Sequence, residues 1–278
     1  LWIGSADGGL CRYNPISGRF YNYAIDGHLE NVNVNALLAD GDKIWVGTYS
    51  KGAGIIDAST GSWHKILVEG NGYYSCYAIC KDADGTVWMA STETLAKYDP
   101  EKDSFVGVKD FGAWIVDLDV DRYDNLWIST QGKGLFRLNT KSGDVKQYVA
   151  SKSPGSLPHN HVNSVTAAGD GEVYVATPYG VYCYDRTADN FMNMTEGIQN
   201  ATAQSVQVSG GDLWISTLSG LLNISHADES HFFTYQDGLS DNQFVPGASF
   251  MTSDGKIYFG SVHGFSCVDP MAVRTKGG

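Results

Sequence analysis

An aromatic residue flanked by apolar ones and followed by a small residue recurs along the chain. It stands at Leu1-Trp2-Ile3-Gly4, Ile44-Trp45-Val46-Gly47, Val87-Trp88-Met89-Ala90, Leu126-Trp127-Ile128-Ser129, Val173-Tyr174-Val175-Ala176, Leu213-Trp214-Ile215-Ser216 and Ile257-Tyr258-Phe259-Gly260. Successive anchors are 43, 43, 39, 47, 40 and 44 residues apart. A short, continuously apolar run predicts a strand covered on both faces. Before most anchors lies a turn pair such as Asp84-Gly85, Asp124-Asn125, Asp170-Gly171 or Asp254-Gly255. Glycine there takes positive φ without steric cost. Ahead of the turn an apolar strand is predicted, as at Val34–Leu38 and Val162–Val165. After the anchor comes a third strand, as in Gly134-Leu135-Phe136-Arg137-Leu138, and then a fourth, as in Val145-Lys146-Gln147-Tyr148.

One period is therefore four short antiparallel strands, A to D, with the anchor on B. Such a sheet is apolar on both faces and cannot bury them alone. Four strands in 40–45 residues is the signature of a β-propeller blade, whose faces are covered by neighbouring blades. The chain is predicted to be all-β: one seven-bladed propeller over residues 1–278, with Trp2, Trp45, Trp88, Trp127, Tyr174, Trp214 and Tyr258 as plugs between blades. Seven B, seven C, six A and six D strands give 26. The first blade lacks its A strand and the last its D strand, so the sequence predicts a longer natural chain at one or both ends.

Composition narrows the function. Glycine is 33 of 278 residues, with 16 Tyr, 11 Phe and 7 Trp, as expected of short strands and tight turns rather than disorder. The net charge of −12 argues against nucleic acid and against an anionic membrane surface. No apolar run reaches the 18 residues of a transmembrane helix, so membrane attachment would come only through further segments. The five cysteines, Cys11, Cys76, Cys80, Cys183 and Cys267, are irregularly spaced and read as small buried hydrophobes. Cys76 and Cys80, at i and i+4 on a strand, would lie about 13 Å apart, beyond disulfide reach.

In a propeller the B–C and D–A connections gather on one face, where function is usually grafted. The B–C connections hold Tyr49, Thr92, Gln131, Tyr179 and His263. The D–A connections hold Asp26, His28, Asn71, Tyr73, Tyr74, Phe111, Trp114, His159, His161, Asp241, Asn242 and Phe244. Aromatic platforms beside planar hydrogen-bonding groups suit a sugar ligand. The candidate ligand-binding residues are Tyr49, Asn71, Tyr73, Tyr74, Trp114, Gln131, His161, Tyr179, Asn242 and His263. His159 and His161 lack a third ligand for a metal. Asp82-Ala83-Asp84-Gly85 fits a hairpin turn better than a calcium loop, because position six is Val87 where an EF-hand needs glycine. No phosphate loop, zinc-protease helix or nucleophile elbow is present. No catalytic residue, metal or cofactor is expected.

The stretch Leu1-Trp2-Ile3-Gly4 with Gly9-Leu10-Cys11-Arg12-Tyr13-Asn14-Pro15, Gly18-Arg19-Phe20 and Tyr23 resembles the two-component regulator propeller repeat. Gly238-Leu239-Ser240-Asp241-Asn242-Gln243-Phe244, followed by Asp254–Gly260, Gly264-Phe265 and Asp269-Pro270, resembles the last blade of that family's second propeller. Tyr replaces Trp at 174 and 258, and Thr94-Leu95-Ala96 lacks the usual glycine before strand C. The resemblance implies the periplasmic sensor region of an inner-membrane protein, a hybrid two-component histidine kinase of Bacteroidetes. It implies an oligosaccharide ligand, relay to the kinase, and a homodimer in the whole protein. Two alternatives stay open. Propeller lyases of the streptogramin type carry similar repeats with His, Glu and a divalent metal, for which His28, His161 and His263 with Glu30, Glu69 or Glu93 are the candidates. The other is a propeller that serves only protein interaction.

Overall fold

The computed structural model describes residues 1–23, 29, 32–69 and 75–276, with side chains to residue 273. The chain is all-β. Among the described residues it has 26 strands, one turn of 3-10 helix (Tyr235–Asp237) and one short helix, α1 (Pro270–Lys276). It divides into two compact units, Leu1–Val120 and Asp121–Gly278.

In the first unit, β1 (Trp2–Ser5), β2 (Gly9–Asn14) and β3 (Arg19–Tyr23) form an antiparallel sheet in that order. Two four-stranded meanders follow. They are β4 (Val34–Asp40), β5 (Lys43–Thr48), β6 (Ala53–Asp57) and β7 (Trp63–Val68), then β8 (Ala78–Lys81), β9 (Val87–Ser91), β10 (Thr94–Asp99) and β11 (Ser104–Asp110). β12 (Ile115–Val120) lies beside β8. In the second unit β13 (Asn125–Thr130), β14 (Leu135–Asn139) and β15 (Val145–Tyr148) pair in order. Next come β16 (Ser164–Ala167), β17 (Val173–Thr177), β18 (Gly180–Asp185) and β19 (Asn190–Asn193). Then follow β20 (Ala203–Ser209), β21 (Asp212–Thr217), β22 (Leu221–Ile224) and β23 (Ser230–Phe233), and finally β24 (Phe244–Met251), β25 (Ile257–Ser261) and β26 (Gly264–Val268).

The strand number and the three-stranded first and last sheets are as the repeat predicts. One feature departs from it. β7 and β11 pair in parallel through Leu67–Val68 and Ser104–Phe105. The two meanders are thus one eight-stranded sheet, ordered β4-β5-β6-β7-β11-β10-β9-β8. The main-chain N–H of Glu69 also donates to the Phe105 carbonyl at 2.9 Å.

Trp45, Trp127, Tyr174 and Trp214 pack across sheets, which is why their strands are apolar on both faces. Trp45 is buried in a cluster with Ile66 of its own sheet half and Ile79, Met89 and Phe105 of the next. Trp127 packs with Leu135 on its own side and Val165, Val175, Tyr184 and Phe191 of the following sheet. Tyr174 and Trp214 repeat the arrangement against Ile215 and Phe259 respectively. Full burial of such side chains contributes roughly 1.5–3 kcal/mol each. The small residue two places on is required by the same contact: a Cβ on Gly47 would stand 2.3 Å from Cys76 Sγ.

Turn length separates the anchor tryptophans whose indole nitrogen has an acceptor from those whose nitrogen has none. Where the A–B turn is long, an aspartate opens it. Asp82 Oδ1 accepts the N–H groups of Asp84 and Thr86, and its Oδ2 accepts Trp88 Nε1 at 2.8 Å. Asp121 does the same for Tyr123, Asn125 and Trp127 Nε1, the last at 2.9 Å. The turns between β4 and β5 and between β20 and β21 have two residues, Gly41-Asp42 and Gly210-Gly211. Six places before those tryptophans stand Ala39 and Val208, and the buried Nε1 atoms of Trp45 and Trp214 have no partner.

The cysteines correct one expectation. Cys76, Cys80 and Cys183 are buried, but Cys11 is half-buried and Cys267 is exposed. Both lie in three-stranded sheets, and β26, which carries Cys267, is the last strand in the order of its sheet.

Candidate functional site

The B–C connections are closed by a hydroxyl three places after the anchor. Thr48, Thr130, Thr177 and Thr217 are buried, and their Oγ1 atoms donate to the carbonyls of Gly52, Gly134, Gly180 and Gly220 at 2.8, 2.6, 2.9 and 2.7 Å. Ser5 and Ser261 do the same to Gly9 and Gly264. Ser91 stands at this place in the third repeat, which lacks the glycine; there Thr92 takes a left-handed φ of 45°. These clasps hold the candidate side chains on short, pinned turns.

In the first unit three rings meet. Tyr49 lies in the turn after β5, Tyr77 just before β8 and Trp114 just before β12. The Tyr49 and Tyr77 centroids are 6.5 Å apart, and those of Tyr77 and Trp114 are 5.0 Å apart. The backbone at or beside each ring is tied down. Tyr49 N–H donates to the Asn33 carbonyl, Tyr77 N–H to Ala90, and the N–H of Ile115, beside Trp114, to Thr92. Tyr49 and Trp114 are 53% and 42% exposed, whereas Tyr77 is half-buried. Tyr77 was missed by sequence reasoning because it reads as the start of a core strand. Asn71, Tyr73 and Tyr74 lie outside the described residues, as do Asp26, His28 and Glu30.

In the second unit, Gln131 and His161 form an isolated antiparallel bridge. His161 N–H donates to His159 Nδ1 at 3.0 Å, and the His159 ring lies 5.6 Å from Tyr179. Burial first, and then the neighbouring His159 imidazole, push the His161 imidazole below its ordinary pKa. Tyr179 is 64% exposed. Elsewhere in this unit His263 Nδ1 lies 2.6 Å from Asp241 Oδ2. That bond, then the backbone N–H groups of Gln243 and Asn242, keep the Asp241 carboxyl below the usual range. Asn242 is turned into its own loop, where its Oδ1 accepts the Tyr235 N–H at 2.6 Å. Phe111 and Phe244 are buried and belong to the packing.

The seven described candidates are thus placed as follows: in the first unit Tyr49 meets Trp114 through Tyr77, and in the second Gln131, His161 and Tyr179 lie around His159 and Asn242 and His263 around Asp241. Among the described residues no three His, Cys, Asp or Glu side chains gather as metal ligands. Glu69 is engaged by Lys102 Nζ at 3.2 Å.

Successive four-stranded antiparallel sheets with an inter-sheet aromatic plug place the chain among folds of the β-propeller class. No protein-family model matches it, and no curated protein does. Among solved structures it is similar to the extracellular domain of BT3049 from B. thetaiotaomicron, described as a hybrid two-component system, with TM-score 0.81 and 19% identity over 99% of this chain and 38% of that one. It is similar to virginiamycin B lyase from Staphylococcus aureus, with TM-score 0.73 and 14% identity over 95% of this chain and 88% of that one. A third is PorZ, a surface component of the type-IX secretion system of Porphyromonas gingivalis, with TM-score 0.73 and 15% identity over 95% of this chain and 43% of that one. The chain spans less than half the length of the first and third. At these identities the likeness is one of fold.

Proposed function

We propose that this chain is the sensor part of a two-component signalling protein, held in the periplasm, with its seven repeats as the blades of one propeller. It recognises an oligosaccharide through the exposed aromatic and amide groups of its B–C and D–A connections. It relays binding to a downstream histidine kinase and is not itself an enzyme. Ligand binding favours one arrangement of a homodimer over another, and the kinase responds to that shift in population. The observation that carries this reading is the likeness in fold, over 99% of the chain, to an extracellular domain described as part of a hybrid two-component system. The exposed rings of Tyr49, Trp114 and Tyr179, carried on hydrogen-bonded backbone, support the ligand class.

The virginiamycin B lyase likeness keeps a second reading in play, a metal-assisted lyase centred on His161 or His263. One experiment separates the two: thermal denaturation against a panel of plant, host and microbial oligosaccharides, with and without EDTA. A ligand at a hundred times its Kd adds about 2.7 kcal/mol to the native state, which raises Tm by several degrees for a chain of this size. The sensor reading predicts a rise with one glycan family that EDTA leaves unchanged. No rise across the panel refutes glycan recognition by this chain. A Tm lowered by EDTA alone favours the lyase.

A further inference from the structure

We infer that His64 and Asp103 form a proton-operated latch on the seam between β7 and β11, one that tightens as the solution turns acid. The inference is independent of the glycan reading. His64 Nε2 lies 2.6 Å from Asp103 Oδ2, and the Tyr98 hydroxyl donates to Asp103 Oδ1 at 2.8 Å. Asp103 directly precedes Ser104, which pairs with Leu67, and His64 stands three residues before Leu67 on β7. The latch therefore sits at one end of the parallel join. The second unit carries the same device with a different cation. Asp189 directly precedes its own outer strand, β19, and takes a left-handed φ of 53°, against 49° for Asp103. Tyr184, like Tyr98, lies five residues before the aspartate and donates to its Oδ1, here at 2.6 Å. Lys146, like His64, is the second residue of the preceding outer strand, and its Nζ meets Asp189 Oδ2. Histidine thus stands where the equivalent latch has lysine.

That difference changes the chemistry. Lysine side chains stay charged through neutral pH, whereas imidazoles gain a proton between about pH 8 and 5. The Tyr98 bond and then His64, outweighing burial, keep the Asp103 carboxyl below its ordinary range, so it stays ionised throughout. Burial, and then Asp103, push the Tyr98 hydroxyl up to about 12, so it goes on donating. An ionised carboxylate only accepts, so His64 Nε2 carries the hydrogen of this bond. When the other ring nitrogen is protonated as well, the bond becomes charge-assisted. Of the other charges nearby, Asp57 of β6 accepts from Ser59 and Thr60, Asp99 accepts the Glu101 and Lys102 N–H groups, and Lys102 Nζ reaches Glu69. Glu101 is exposed in the turn that carries Asp103, and Lys65, the next residue on β7, alternates to the opposite face. A contact that favours the protonated imidazole stabilises the fold on the acid side of the histidine range, and this stability is lost as pH rises through it. The two side chains are 59% and 46% exposed, so the effect has the scale of an exposed pair.

The test is urea unfolding of the 278-residue chain on the two sides of the histidine range, at about pH 5.5 and about pH 8. His64→Gln keeps a hydrogen-bond donor but cannot take up the charge. It should raise the unfolding constant about two- to fivefold at the acid pH and leave it unchanged at the alkaline one. His64→Lys, which copies the latch of the second unit, should match wild type in acid and be the more stable of the two at the alkaline pH, by a similar factor. Lys146→Gln should destabilise equally at both. In an Asp103→Asn background, His64→Gln should have the same effect at both pH values. An effect of His64→Gln that is equal at the two pH values in the wild-type background overturns the latch. So does a pH-dependent effect that survives Asp103→Asn, because the proton on His64 then acts through another group.

Discussion

Replacing Asp121 by alanine removes the acceptor on which one whole A–B turn is built. The carboxylate is 2% exposed and meets Arg186 Nη1 at 3.2 Å. It also accepts the Tyr123 and Asn125 N–H groups and the Asn125 amide. Trp127, whose Nε1 donates to it, has no solvent exposure. An orphaned buried donor costs about 1–3 kcal/mol, and removing one partner of a buried ion pair costs about 3–5 kcal/mol. Arg186 is 31% exposed and can reach water, so the expected total is about 3 kcal/mol, at the low end of that range. Urea unfolding followed by tryptophan fluorescence measures it. The acid dependence is a second readout. Burial pushes the Asp121 carboxyl up, but bonds from Trp127, Asn125 and the backbone outweigh it and the net shift is downward. A lowered folded-state pKa stabilises the protein above the unfolded value of about 3.9, and this stability is lost as pH falls through the folded value. The gap between wild type and Asp121→Ala should therefore be full at neutral pH and close in strong acid. In a double-mutant cycle with Trp127→Phe, the coupling should reach about 1 kcal/mol or more. A loss under about 1 kcal/mol, the scale of an exposed ion pair, with no coupling to Trp127, would refute the clasp as a source of stability.

Three further outcomes follow from the same structure. Thr130→Val deletes the buried hydroxyl bond to Gly134 and should cost about 1–3 kcal/mol in urea titration, with Thr130→Ser recovering most of it. Gly134→Ala places a Cβ 2.1 Å from the Tyr148 carbonyl at a φ of +76° and should lower stability by about 2 kcal/mol or more, seen as a fallen Tm. Under native conditions a thiol reagent should label Cys267 fast and Cys11 slowly. Cys76, Cys80 and Cys183 should react only on unfolding, because burial pushes their thiols up, that of Cys183 to about 12.

Much of the architecture is legible because it is local and periodic. The aromatic on strand B announces a two-faced strand, and the turn pair before it fixes the hairpin. The +3 hydroxyl was equally readable, since Ser5, Thr48, Ser91, Thr130, Thr177, Thr217 and Ser261 all occupy that place. Other features depend on contacts between distant segments. Nothing in Leu67-Val68 or Ser104-Phe105 marks them as partners across two outer edges. Tyr77 and Ile79 both read as apolar strand residues, yet one joins an exposed ring cluster and the other the core. Phe111 and Phe244 read as connection residues, but both are buried, Phe111 just after β11 and Phe244 as the first residue of β24, packed with Ile257 and Phe259.

The parallel join between β7 and β11 changes how this part of the chain should come apart. Outer strands normally fray first, and their amides exchange with solvent through small local openings. Here neither outer strand can peel without breaking bonds to the other. The two meanders should behave as one cooperative unit, with the Glu69 amide, which would otherwise face solvent at a sheet edge, exchanging at the rate of the whole eight-stranded sheet.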